Sequence, residues 1–294
     1  MDLTLVTCRD MPEPDVDEQL LLDALAAAGV EARLEAWDDP DVDWDASPLT
    51  VVRSTWNYTD DRDGFLSWAR RVSASRTTLR NPLSAITPNT HKSYLAGLER
   101  AEIPVVPTRW FARGGRAADA DTLRTLPWDR VIAKPAVGAG SRGVASFDLV
   151  DDTELERAAA HVAELQAVTD VMVQPELRSI VEEGERDVVW IDGDFTHTVQ
   201  KGRRLAGDDE RVSSARDVGD DERRLALRVL RTVPAFMQKD VLYARVDMAT
   251  DELGDLRVVE LELVEPSLFL GEHEPALERF VTALARESGA AARR

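Results

Sequence analysis

The pattern of hydrophobic and polar positions changes character about one third of the way along the chain. The first part predicts strand, helix and strand, with an apolar run at 3–6, leucines at helical spacing at 20–25 and a second apolar run at 30–36. A buried strand at 49–53 and an amphipathic helix at 65–72 follow. Strands that alternate with helices are typical of a parallel sheet, so we expect an α/β domain here.

The rest of the chain is richer in predicted strands. Short apolar runs bounded by turn residues predict strands at 108–111, 130–134, 144–149, 171–174, 188–191, 196–201, 243–247 and 259–263. Helical spacing predicts helices at 153–166, 223–236 and 275–287. Asp192-Gly193 is a two-residue hairpin signal between two of the strands. The pattern indicates two α+β modules after the α/β domain.

Turn residues and prolines suggest where the chain divides. Residues 81–88 contain two prolines and predict the first domain boundary, and Thr90 is expected to cap the helix that follows. The polar stretch 202–220 has no periodicity, and we expect a loop that acts as an active-site lid. The predicted domains are residues 1–88, 89–170 and 171–294.

Composition narrows the function classes. The 294 residues are 44% hydrophobic and 31% charged, which suits a globular protein. A formal net charge of −19 repels nucleic acid and anionic membranes, so we expect neither as a partner. The chain has no apolar run long enough to cross a bilayer and begins without a basic signal-peptide segment, so we expect a cytoplasmic protein. With Cys8 as the only cysteine, any metal is expected on carboxylates.

A glycine-rich segment lies between two predicted strands at 133–143. Its glycines allow backbone N–H groups to approach a polyphosphate closely, and Lys134 at the strand end adds a positive charge. The segment lacks the Gly-Lys-Ser/Thr of a Walker A loop, and a strand rather than a helix follows it. It predicts a phosphate-binding loop, with a structural hairpin as the alternative. The candidate contacts are Lys134, Gly138, Gly140, Ser141 and Gly143.

Two strands near the C-terminus carry charged residues with a period of two. Arg245 and Asp247 share one strand face, and Glu260 and Glu262 share another. A hairpin centred between Leu253 and Gly254 would place Asp247 opposite Glu260 and Arg245 opposite Glu262. Facing carboxylates need a cation, and hard oxygen ligands suit Mg²⁺ held together with substrate phosphates. The alternative is an exposed polar face of an antiparallel sheet.

In order and spacing these residues resemble the ATP-grasp superfamily of carboxylate–amine ligases, such as glutathione synthetase and D-alanine–D-alanine ligase. The resemblance covers nearly the whole chain. It implies an ATP-grasp fold, α/β and α+β, with an N-terminal α/β substrate domain, a small central lid domain and a C-terminal α+β domain that binds ATP and Mg²⁺.

The resemblance also implies a role for individual residues. It places Lys92 and Lys134 on the ATP phosphates, Gln174 and Leu177 at the adenine, Glu185 at the ribose, Lys201 at the terminal phosphate or the substrate, Arg245 at the acyl phosphate, and Mg²⁺ on Asp247, Glu260 and Glu262. Two positions depart from the family pattern. Many members have Asn in place of Glu262, and the position of Asp187 is often basic or small, so Asp187 receives no role.

Within the superfamily, the chain is most similar to a broad branch of short members that includes the cyclo-ligase converting O-ureido-D-serine to D-cycloserine, and the shared motifs discriminate poorly between substrates. The shared segments are residues 53–58, 196–201 and 260–270. Arg53, Ser54 and Asn57 follow a strand end, which is where α/β domains place ligands, so we expect them to contact an amino-acid-like substrate.

His197 has two interpretations, one in which it faces the substrate and one in which it packs in the sheet. The implied reaction forms a C–N bond through an acyl phosphate at the expense of ATP. An intermolecular amino-acid ligase is the first alternative, and a nucleotide-binding regulator without activity is the second. The sequence also leaves a homodimer open.

Overall fold

A computed structural model describes residues 1–116 and 118–289. Within these residues, twelve strands form three four-stranded sheets. The strands are β1 (Leu3–Thr7), β2 (Ala32–Ala36), β3 (Leu49–Val52), β4 (Thr78–Arg80), β5 (Arg109–Phe111), β6 (Arg130–Pro135), β7 (Ala145–Asp148), β8 (Val171–Pro175), β9 (Glu185–Ile191), β10 (Asp194–Lys201), β11 (Tyr243–Thr250) and β12 (Leu256–Glu262).

Helices cover the sheets and connect them. The α-helices are α1 (Glu18–Ala27), α2 (Arg62–Ser73), α3 (Leu83–Asn89), α4 (Tyr94–Arg100), α5 (Ala120–Arg124), α6 (Asp152–Val168), α7 (Arg178–Glu182), α8 (Asp220–Leu230), α9 (Pro234–Met237) and α10 (Glu274–Glu287). Short 3₁₀ helices cover Trp44–Ala46, Trp56–Thr59 and Leu270–Glu272.

The first sheet has the order β2-β1-β3-β4, and all its strand pairs are parallel. Apolar runs on both faces fit this arrangement, because a parallel sheet is buried on each side. Helix α2 contributes Phe65, Trp68 and Val72 to one core, which also contains Tyr58. The predicted α/β domain is therefore confirmed.

The second sheet has the antiparallel order β5-β8-β6-β7, with α6 packed against it. Strand β8 pairs with both β5 and β6 and so belongs to the second sheet. The predicted third domain, residues 171–294, would have included this strand. We therefore propose that the boundary between the second and third domains lies after Pro175.

The third sheet has the antiparallel order β10-β9-β11-β12. Asp192 and Gly193 have φ values of 44° and 93°, so the turn between β9 and β10 uses the left-handed backbone that its sequence predicts. In the β11–β12 hairpin, Arg245 pairs with Glu262 and Asp247 pairs with Glu260. The predicted register is confirmed, and a bulge follows at Asp247.

Two helix predictions were wrong. Residues 83–89 form α3 rather than a turn, and Thr90 is its C-terminal cap instead of the N-terminal cap of α4. The helix predicted at 223–236 is two helices, α8 and α9, since Pro234 has no N–H and begins a new helix.

Two buried amides join the first sheet to the third. The Asn81 side chain donates to the carbonyl oxygens of Tyr243 and Leu263, each at 2.8 Å, and accepts from the N–H of Leu242. Asn89 at the end of α3 donates to the carbonyl oxygen of Leu261 on β12 and accepts from the N–H of Leu263, which directly follows β12. The bonds to Leu261 and Leu263 hold the end of β12, which carries Glu260 and Glu262, in place against α3. Across the described ranges, no helix is both long and apolar enough to traverse a bilayer.

Candidate active site

A cavity lies between the second and third sheets, with the first sheet at one end. Most residues predicted from the sequence line it together: Lys92, Lys134, Gly138, Gly140, Ser141, Gln174, Leu177, Glu185, Lys201, Arg245, Glu260 and Glu262. Strands of the second and third sheets therefore contribute to one site, together with Lys92 and the glycine-rich segment. Gly143 and Asp247 do not line the cavity directly, because the Gly143 carbonyl faces His161 and Asp247 lies behind Arg245.

The glycine-rich segment forms a tight loop at the edge of the cavity. Gly140 and Ser141 have φ values of 60° and 56°, a left-handed backbone that favours glycine. A Cβ atom at Gly138 would lie 2.9 Å from the Pro135 side chain, so only glycine fits there. Lys92 donates to the Gly138 carbonyl oxygen over 2.8 Å and holds the loop against α4.

Lys134 sits in the cavity wall. Burial lowers the pKa of its ammonium, and the Glu260 carboxylate offsets part of that effect. In the described residues, no carboxylate oxygen lies within 4 Å of the Lys134 ammonium, whereas Lys92 lies 2.6 Å from Glu260. Burial would also lower the pKa of Lys92, but Glu260 outweighs it and raises the pKa. Of the two lysines, Lys134 is therefore the one whose ammonium is free to pair with the phosphate of a bound ligand.

Arg245 organises the charged face of β11 and β12. Its guanidinium donates to both oxygens of Asp247, at 2.8 and 2.9 Å, and also to Glu262 and to the Ser267 carbonyl oxygen. Burial alone would raise the pKa of Asp247, but Arg245 and Lys201 lower it to about 2. Arg245 is thus held rigidly, with its guanidinium in the cavity wall.

Lys201 lies among three carboxylates. Its Nζ atom is 3.2 Å from Glu185, 3.0 Å from Asp187 and 3.5 Å from Asp247. Asp187 has no exposed surface, and its burial, together with the neighbouring charge of Asp247, raises its pKa to about 7. These carboxylates lie close enough to hold a metal ion, but the Lys201 ammonium already occupies the space between them. Asp187, to which no role was assigned from the sequence, is therefore part of the charged site.

Carboxylate oxygens on β11 and β12 are of the type that Mg²⁺ prefers. Glu260 and Glu262 both line the cavity, and burial raises the pKa of Glu262 well above its usual value despite Arg245. A divalent cation favours the ionised form of such a carboxylate. The donor set therefore fits a magnesium ion brought in with a phosphate ligand, and Glu260 and Glu262 are the residues that could hold it.

One end of the cavity is apolar. Leu177, Ile180, Val106 and Ile132 line it, beside the side chain of Gln174. The Gln174 amide donates to Thr108 Oγ1 over 2.8 Å, which fixes its orientation. An apolar slot with one oriented amide suits a planar heterocycle such as adenine.

Four predicted substrate residues do not line the cavity. Arg53 is buried, 3.5 Å from Asp17, with its guanidinium 5.5 Å from the ring centre of Tyr243. Ser54 donates to Thr7, and the Asn57 side chain bonds Trp37 and Asp38. His197 is buried and stacks on His273, so the packing interpretation describes it. These contacts lie within the first domain, within the third sheet or between the two, and none of the four side chains forms the cavity wall.

Sequence reasoning missed several residues that line the cavity at the end near the first sheet. Trp56, Glu13, Arg142, Arg204 and Glu265 all line this end of the cavity. Arg142 at the glycine-rich loop donates to the Trp56 carbonyl oxygen, and Arg204 from the 202–220 loop pairs with Glu13. Trp56 and Glu265 lie within the shared segments 53–58 and 260–270. Their place in these segments was the only feature of the sequence that could have marked them as site residues. The other three depend on contacts between segments that are far apart in the chain.

Comparisons with known proteins agree with this geometry. A family model described as the N-terminal domain of D-cycloserine synthetase DcsG matches residues 3–81. The cycloserine biosynthesis protein DcsG of Streptomyces lavendulae is 34% identical, with 96% of this chain and 97% of that protein covered. The crystal structure of D-cycloserine synthetase DcsG superposes with a TM-score of 0.85 at 32% identity, over 97% of this chain and 99% of that one.

A more distant structure shares the fold. The ATP-grasp ligase PsnB, in complex with a minimal precursor, Mg and ADP, superposes with a TM-score of 0.63 at 18% identity, over 98% of this chain and 97% of that one. The three sheets and the charged cavity between them define an ATP-grasp ligase, an ATP-dependent enzyme. Within that class, the chain belongs to the DcsG family.

Proposed function

We propose that this ligase closes a ring within a single amino-acid-like substrate by ATP-dependent formation of a C–N bond, with O-ureido-D-serine as the substrate and D-cycloserine as the product. The observation that carries the proposal is the lining of one cavity by phosphate-binding cations, a carboxylate face and the substrate end near Trp56. The similarity to DcsG along nearly the whole chain supports this choice of substrate. The cytoplasm, where ATP is available, is the expected location.

In the proposed reaction, the substrate carboxylate attacks the γ-phosphorus of ATP and becomes an acyl phosphate. Lys92, Lys134 and the N–H groups of the glycine-rich loop would neutralise the phosphate oxygens. Magnesium, when bound at Glu260 and Glu262, would neutralise charge on the transferred phosphoryl group. Arg245 would stabilise the developing negative charge, for which its rigid attachment to Asp247 prepares it.

The apolar end of the cavity is the proposed adenine site, with Gln174 and Leu177 at the base and Glu185 at the ribose. Lys201 would meet the terminal phosphate. Because Lys201 is held by three carboxylates, its ammonium enters the site in a fixed position. The nitrogen of the ureido group that is bonded to oxygen then displaces phosphate and closes the ring. Water removes the carbamoyl group from the ring nitrogen as carbamate, which decomposes to carbon dioxide and ammonia and leaves D-cycloserine. An intramolecular attack gains from proximity, so the protein needs mainly to fold the substrate at the Trp56 end.

An assay of ADP release tests this proposal and separates it from its alternatives. The enzyme is incubated with ATP, Mg²⁺ and either O-ureido-D-serine alone or pairs of amino acids. Release that depends on O-ureido-D-serine alone supports ring closure. Release that requires two amino acids would instead make the enzyme an intermolecular ligase, and no release with any substrate would favour a nucleotide-binding regulator.

A further inference from the structure

The carboxylates that line the cavity differ in whether a cation pairs with them. Glu260 pairs with Lys92, Glu262 with Arg245, Glu185 with Lys201, Glu176 with Arg130 and Arg203, and both Glu13 and Glu210 with Arg204. Among the cavity carboxylates of the described chain, Glu265 alone has no cationic group within 4 Å. The carboxylate oxygens of Glu265 are therefore not held by an ion pair, and they are free to meet a proton of a bound substrate.

The backbone around Glu265 is fixed from three directions. The indole N–H of Trp56 donates to the Glu265 carbonyl oxygen over 2.9 Å, and the Tyr243 hydroxyl donates to the Val264 carbonyl oxygen over 2.9 Å. Arg245 donates to the Ser267 carbonyl oxygen over 3.1 Å. The side chain of Glu265 therefore enters the cavity from a rigid segment, between the charged face of β12 and Trp56.

The surroundings of Glu265 suit proton transfer near neutral pH. Burial raises the pKa of Glu265 to about 7, against the lowering effect of Lys92 and of a hydrogen bond from the Tyr58 hydroxyl. Glu260 on β12 raises this pKa and Arg245 on β11 lowers it. An acid–base group works best when its pKa lies near the working pH.

We propose that the Glu265 carboxylate accepts the proton of the substrate nitrogen as that nitrogen attacks the acyl phosphate. The inference rests on the proposed function. The nitrogen lone pair forms the C–N bond, and the C–O bond to phosphate breaks with its electron pair on the leaving phosphate. The N–H proton passes to Glu265, which later releases it to water. Phosphoryl transfer from ATP does not involve this proton, so the two steps are separable.

The test is a single-turnover experiment on Glu265→Gln with ATP, Mg²⁺, O-ureido-D-serine and hydroxylamine as a trap for the acyl phosphate. The variant should form ADP and the trapped hydroxamate within about threefold of the wild-type rate, while ring-closed product falls by at least about a hundredfold, the usual contribution of a general base. Ring closure at the wild-type rate would overturn the inference, and so would an equal loss of ADP formation and ring closure.

Two further variants sharpen the result. Glu278→Gln on the exposed side of α10 is the matched control and should behave as wild type. Tyr58→Phe keeps the stacking on Phe65 but removes the hydroxyl, so the midpoint of the pH profile for ring closure should move upward. An unchanged midpoint would contradict the role of Glu265. Failure of the wild type itself to form ADP with O-ureido-D-serine would instead overturn the proposed function.

Discussion

The Nζ atom of Lys201 lies 3.0 Å from Oδ2 of Asp187, a carboxylate with no exposed surface. The two residues lie on neighbouring strands, β10 and β9, and Asp187 also faces Asp247 across β9 and β11. Two carboxylates placed opposite each other inside a protein repel unless a cation separates them. The ammonium of Lys201 and the guanidinium of Arg245, whose Nε atom lies 3.3 Å from Asp187, are the cations here. Stability therefore depends on Lys201, the same side chain that is proposed to meet the terminal phosphate.

This relationship predicts a pH effect on stability. The folded-state pKa of Asp187, about 7, is above its ordinary value of 3.8, so protonation favours the folded state and stability falls as pH rises from about 4 to 7. Lys201→Met removes the ammonium and leaves Arg245 as the neighbouring cation, so the pKa of Asp187 should move above 7. The variant should lose stability relative to wild type between pH 7 and 9, by up to about 1.4 kcal/mol per pH unit.

Urea unfolding at several pH values measures this difference. Lys239→Met is the control, because Lys239 is also a lysine but lies exposed on the surface. Parallel stability curves for the Lys201 variant and the wild type above pH 7 would show that Asp187 does not depend on Lys201.

Glu260→Gln tests the magnesium assignment. The change keeps the volume of the side chain but removes a ligand charge, and it also ends the 2.6 Å ion pair with Lys92. The apparent affinity for Mg²⁺ should fall by at least about tenfold, because loss of an outer-shell partner alone costs about 10–100-fold. Initial rates at increasing MgCl₂ measure the effect, with Glu278→Gln as control. An unchanged dependence on Mg²⁺ would remove Glu260 from the metal site.

Lys134→Ala tests the phosphate site. Burial lowers the pKa of Lys134, and the nearest described carboxylates are paired elsewhere, so an ATP phosphate should be its main partner. A charge-assisted hydrogen bond contributes about 1.5–3 kcal/mol, which corresponds to about 10–100-fold weaker binding of ATP. Calorimetry measures this change, and Lys239→Ala provides the comparison. Equal dissociation constants for the variant and the wild type would make Lys134 a structural residue.

Arg53→Lys separates a structural role from a substrate contact. The guanidinium is buried between Asp17, Tyr243 and Phe280, where a lysine keeps the charge but not the planar stacking. We expect a loss of about 1–3 kcal/mol in the free energy of unfolding and a substrate KM within twofold of wild type. A KM raised tenfold or more at unchanged stability would return Arg53 to the substrate site.

Local patterns predicted the parts of the site that depend on neighbouring residues. The pair of Asp247 with Glu260 was predicted from a hairpin centred between Leu253 and Gly254. The strands next to the turn instead pair about Leu253, with Thr250 opposite Leu256, and the bulge between Asp247 and Met248 restores the predicted pair. The glycine-rich loop could be recognised from its glycines between two predicted strands, and the structure shows that a Cβ atom at Gly138 would lie 2.9 Å from the Pro135 side chain. Both predictions rest on interactions within about twenty residues of sequence.

Long-range packing determined the rest. The strand end at Arg53 suggested a ligand site, but its partner Asp17 comes from the start of α1 and Tyr243 from the third sheet. Glu265 received no role from the sequence, because its lack of a cationic partner is evident only once the other cavity carboxylates are seen to be paired. Its indole partner Trp56 is 209 residues away along the chain.

The central claim is that the substrate carboxylate attacks ATP and is activated as an acyl phosphate before the C–N bond forms. Substrate labelled with ¹⁸O in its carboxylate tests this directly, with the released phosphate analysed by mass spectrometry. The account predicts one ¹⁸O atom in each phosphate formed together with ring-closed product. The labelled oxygen bridges the acyl carbon and phosphorus, and it stays on phosphorus when its bond to the acyl carbon breaks. Phosphate that contains no ¹⁸O, at an undiminished yield of product, would contradict it.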